Sequence, residues 1–106
     1  MVKPWIDLTA ENVDSLPGST GIYELGDETG TVFDICFAGG HSLFGLRSEL
    51  QSQLAADRAG WKFRYEVTSQ YMSRFHELVN IANAVGDLPE GLQQRGVIAT
   101  GFIRPN

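Results

Sequence analysis

The chain has 106 residues, 42% hydrophobic and 20% charged, which is enough for one real core and one domain. Its net charge of −5 and pI of about 4.8 repel phosphate backbones at long range and disfavour sequence-independent nucleic-acid binding. It has no run of about 18 apolar residues to span a membrane and no signal-peptide pattern at its start, and its single cysteine, Cys36, excludes an internal disulfide, so a cytoplasmic protein is expected.

Trp5, Ile6 and Leu8 form an apolar clamp ahead of a short helical turn, with Thr9 as its N-cap. Leu16-Pro17-Gly18 ends that turn and delivers an extended chain. Gly21-Ile22-Tyr23-Glu24-Leu25 and the run beginning TVFDICFA flank Gly26-Asp27-Glu28-Thr29-Gly30, the composition of a β-hairpin with a longer loop. Strand alternation puts Tyr23 and Asp34 on one face, while Ile22, Phe33, Ile35 and Phe37 supply most of the apolar packing. Gly39-Gly40 breaks the second strand, and Ser42 is a suitable N-cap for a helix that Gly60 closes. Leu43, Leu46, Leu50 and Leu54 lie on one stripe of that helix, flanked by Arg47, Gln51 and Arg58.

Residues 61–68, WKFRYEVT, alternate cleanly and read as a half-buried strand with Lys62, Arg64 and Glu66 outward. Ser69 or Gln70 opens a second long helix, running to about Val85, with Met72, Phe75, Val79 and Ala82 as its core stripe. Gly86 ends it, and Asp87-Leu88-Pro89-Glu90-Gly91 is a turn. Residues 96–103, GVIATGFI, read as a final short strand or an apolar tail. The order is β-β-α-β-α: a small α+β domain with a three-stranded, mainly antiparallel sheet and two main helices packed against it.

That order, with Gly21-Ile22-Tyr23 on the first strand, resembles the GIY-YIG nuclease superfamily over residues 16–92. The resemblance implies a single GIY-YIG-like domain over residues 1–106. It also implies a metal-dependent DNA endonuclease in which Tyr23, Arg47 and Glu77 are catalytic and Glu77 holds Mg2+ or Mn2+. The second motif departs from Tyr-Ile-Gly and stands as Asp34-Ile35-Cys36, and the family's later asparagine has no clear counterpart after Leu88-Pro89. Asp34 would be an auxiliary carboxylate beside Tyr23, and His41 a further auxiliary group.

Each of these residues also has a structural reading. Tyr23 is a strand aromatic, Arg47 a helix residue with its stem over the leucine stripe, and Glu77 the partner of Arg74 one turn away. Asp34 requires solvent, a cleft or a cation, because an unpaired buried carboxylate is costly. His41 and His76 have too few Cys, Asp or Glu neighbours for a zinc motif, and Cys36 reads as a buried strand thiol. Two functions therefore stand side by side: the endonuclease, and an inactive module of the same fold that binds a protein or nucleic-acid partner. The basic residues of the middle third, Arg47, Arg58, Lys62, Arg64 and Arg74, allow a local basic patch that softens the charge objection to nucleic-acid binding.

Overall fold

The computed structural model describes residues 1–40 and 43–95. Four strands, β1 (Ile6–Asp7), β2 (Gly21–Gly26), β3 (Val32–Ala38) and β4 (Lys62–Val67), form one antiparallel sheet in the order β1-β4-β2-β3. Among the described residues four helices accompany them: α1 (Ala10–Asp14), α2 (Gly45–Leu54), α3 (Tyr71–Ala84) and α4 (Glu90–Gln94). Among the described residues the sheet thus has four strands rather than the three expected. The extra one, β1, pairs only Ile6 with Phe63 and Asp7 with Lys62. Two residues are too few to leave a periodic signal.

Helices cover both faces. On one side Val13 of α1 and Leu46 and Leu50 of α2 pack on Tyr23, Leu25, Ala38 and Phe63. On the other, Phe75, Leu78 and Val79 of α3 and Leu92 of α4 pack on Ile22 and Ile35. Each fully buried large apolar side chain contributes about 1.5–3 kcal/mol. Lys62, Arg64 and Glu66 are therefore not simply outward. Their face is roofed by α3 and the first residues, and its charges are paired: Arg64 with Glu24 at 2.7 Å and Arg74 with Glu66 at 2.9 Å. Trp5 lies over the Arg64 guanidinium at 4.0 Å.

Local chemistry explains most boundaries. Thr9 caps α1 by accepting from the Asn12 N–H. The second helix begins at Gly45, not near Ser42, because the Leu46 N–H is docked on the Ser19 carbonyl at 2.9 Å. Gly45 has φ +52°, and a Cβ there would overlap the Ser19 carbonyl, so glycine is required. That leaves Leu43 before the helix and 83% exposed, outside the stripe it was expected to join. The same helix stops at Leu54, and Gly60 instead turns the chain into β4.

The third helix keeps its expected span and ends in a Schellman motif, with Asp87 N–H on Ala82 C=O and Gly86 N–H on Asn83 C=O. Its buried stripe is Phe75, Leu78 and Val79, while Met72 is 43% exposed. The turn expected around Pro89 opens into α4. In the hairpin, a bulge between β2 and β3 leaves Phe33 without a partner and turns its ring against Trp61, with the Arg58 guanidinium beside both rings. His41, the Ser42 cap and the 96–103 segment lie outside the described residues.

Candidate functional site

Tyr23 sits mid-strand on β2, opposite Cys36 on β3 and Tyr65 on β4, with its side chain toward α2. It is almost fully buried, and its hydroxyl accepts a hydrogen bond from Gln53 Nε2 at 3.2 Å. Burial first, and the neighbouring Cys36 second, push the phenol far above its ordinary range, so it stays protonated at any working pH. The Cys36 thiol is pushed up to about 12 by burial, and next by the charge of Asp34, which leaves it a poor nucleophile.

These groups line a cavity of about 280 Å3 with Phe37, with Glu49 and Gln53 from α2, and with Arg95 just beyond α4. Glu49 and Gln53 are four residues apart and therefore share a helix face. Arg95 reaches back to β3, the edge strand. It donates to the Asp34 carboxylate and to the Ile35 carbonyl at 3.0 Å, and its Nη1 lies 3.7 Å from Cys36 Sγ. Burial pulls the guanidinium pKa down, but Cys36 and Asp34 together outweigh it and hold Arg95 charged. Asp34 thus shares the Tyr23 face as expected, and the cation it needs is supplied from far downstream.

Arg47 and Glu77 lie elsewhere. Arg47 Nε donates to the Leu16 carbonyl at 2.9 Å and its guanidinium lies 5.9 Å from the Phe44 ring centre, which staples α2 to the segment after α1. Glu77 projects from α3, on the opposite side of the sheet from Tyr23, and accepts from Arg74 Nη1. Arg74 in turn donates through Nε and Nη2 to both oxygens of Glu66, each at 2.9 Å. The structure therefore does not bring Tyr23, Arg47 and Glu77 to one cleft. Gly21, the first residue of the tyrosine motif, has a packing role: a Cβ there would overlap the Glu66 carbonyl and come within 2.9 Å of Leu46.

A divalent ion at Glu77 would need several oxygen ligands. The carboxylates nearest to hand, Glu77 and Glu66, already share the Arg74 guanidinium, and among the described residues no third Asp, Glu, His or Cys joins a metal-binding group.

Sequence reasoning passed over Arg95, Glu49 and Gln53. The two α2 residues were findable as the helix face next to the Leu46 and Leu50 stripe. Arg95 carried no local signal, because its partner Asp34 lies 61 residues away.

Among the described residues no helix is long and apolar enough to cross a membrane. No curated protein and no solved structure matches the chain. A family model described as a domain of unknown function, DUF7508, matches residues 1–90. That match spans most of the chain, which belongs to the DUF7508 family.

Proposed function

We propose that this protein is a non-catalytic binding module on a GIY-YIG-like scaffold, and that its partner is a protein. The observation that carries this reading is the separation of Tyr23 from Glu77 by the sheet, each already engaged, Tyr23 by Gln53 and Glu77 by Arg74. Phosphodiester hydrolysis needs a base, a cation and a metal at one phosphate. A phenol held protonated by burial cannot act as that base near neutral pH. The net charge of −5 favours a protein over a nucleic acid as partner.

The rival reading, a divergent endonuclease using Mg2+ or Mn2+ at Glu77, keeps Tyr23, Arg47 and Glu77 in family order along the chain. Supercoiled-plasmid nicking with either metal decides between them, run on wild type beside Glu77→Ala and Arg47→Ala. The expected result is no metal-dependent nicking by any of the three. Nicking by wild type that both substitutions abolish would overturn the module reading and restore the nuclease.

A further inference from the structure

Among the described residues the outer edge of β4 is only partly covered. Its first two residues pair with β1, and the ladder stops at Ile6 opposite Phe63. The direction of the remaining backbone groups follows from two bonds. Leu8 N–H donates to the Trp61 carbonyl at 2.9 Å, which places the groups of Trp61 on the β1 side. Thr68 N–H donates to the Thr20 carbonyl at 3.2 Å, on the β2 side. Successive residues of a strand alternate in this sense. Tyr65 and Val67 therefore present their N–H and C=O groups outward, and among the described residues neither finds a backbone partner there. Beside this edge lies a cavity of about 440 Å3 lined by Lys3, Pro4, Ile6, Arg64, Tyr65 and Val67. Val67 is 55% exposed at its end. Both charged residues of the lining are cationic, in a chain whose net charge is −5.

We propose that this edge receives an extended acidic peptide from a protein partner as an added strand beside β4. The outward amides of Tyr65 and Val67 supply its main-chain bonds. An apolar side chain fills the space between Ile6, Tyr65 and Val67, and a carboxylate faces Lys3, because Arg64 is already held by Glu24 at 2.7 Å. Strand addition suits such an edge because main-chain bonds give affinity and alternate side chains give selectivity. The inference rests on the binding-module reading and names the partner's chemistry.

The test is fluorescence polarisation with fluorescein-labelled nonapeptides in which valine alternates with aspartate or glutamate. Counterparts carry lysine in place of the acids, or N-methyl groups on alternate amides. The protein is the full chain, as wild type, Lys3→Glu and Val67→Pro. Proline is tolerated on an edge strand, and here it removes one outward donor. The expected result is saturable binding of the acidic set that N-methylation abolishes. Val67→Pro weakens that binding at least tenfold, the lysine set binds at least tenfold more weakly than the acidic set, and Lys3→Glu narrows the gap. Should Val67→Pro fail to fold, the N-methylated peptides make the same test from the ligand side. No binding of the acidic set, or binding indifferent to N-methylation, overturns the edge proposal. The module reading itself stands or falls by plasmid nicking. A dimer in sedimentation equilibrium that Val67→Pro dissolves gives the edge to a second copy of the chain and likewise overturns the peptide.

Discussion

Arg95 and Asp34 meet across 61 residues of chain, and their ion pair ties the end of α4 to the edge strand β3. Asp34 is nearly buried, so the pair matters chiefly through what its loss would leave behind. Arg95→Ala would strand a carboxylate away from solvent, at a cost of about 2–3 kcal/mol. Asp34→Asn in the Arg95→Ala background removes that charge and recovers much of the loss. Urea denaturation of the two variants checks the order; equal stability would show that Asp34 is already solvated.

Gly91 lets α4 lie this close. A Cβ there would come within 2.5 Å of Asp34 Cγ, closer than real contacts allow. Gly91→Ala should cost about 1–3 kcal/mol by pushing α4 off β3. Gly40→Ala, where a Cβ would meet nothing within 4 Å, should stay within about 0.5 kcal/mol of wild type. Thermal melts of both variants separate a packing constraint from a general intolerance of alanine.

Glu66 is held below its ordinary value of 4.5, first by the hydrogen bonds from Arg74, and Asp27 below 3.8, first by the bond from Thr29. Both carboxylates are depressed in the folded state. Their contribution is therefore complete above about pH 4.5 and is lost as the pH falls through the folded values. The urea midpoint should be flat from neutral pH to about 5 and then fall. Arg74→Ala should make the acid fall shallower; an unchanged slope would remove Glu66 from the account.

Cys36 behaves in the opposite sense. Its thiol is raised from 9.0 to about 12, so its contribution is complete below pH 9.0 and is lost as pH rises toward 12. At pH 8 iodoacetamide should label the native chain far more slowly than the urea-unfolded one, because the thiolate is the reactive form. Equal rates would mean an open, ionised thiol.

The hairpin, α1 with its Thr9 cap, β4 and α3 were legible in the sequence because each rests on contacts within a few residues or on a strong period. What was not legible depends on distant partners. The outward assignment of Arg64 and Glu66 went wrong because Glu24 and Arg74 supply their counter-charges and α3 roofs that face. β1 exists only because Phe63 and Lys62 arrive beside it. The candidate cavity suffered in the same way: Tyr23 and Asp34 were visible on one face of the hairpin, but Arg95, which pairs with Asp34 from beyond α4, was not.

The pairing of Ile6 with Phe63 also sets an order of events. During synthesis the first residues emerge long before their partner strand, whereas β2 and β3 need only each other and a short turn. Closing a long loop comes late, after local contacts have lowered its entropy cost. Among the described residues the edge of β4 beyond Phe63 gains no backbone partner when β1 docks. In the strand-addition proposal, the row of amides left open by this late docking is the row that would receive the peptide.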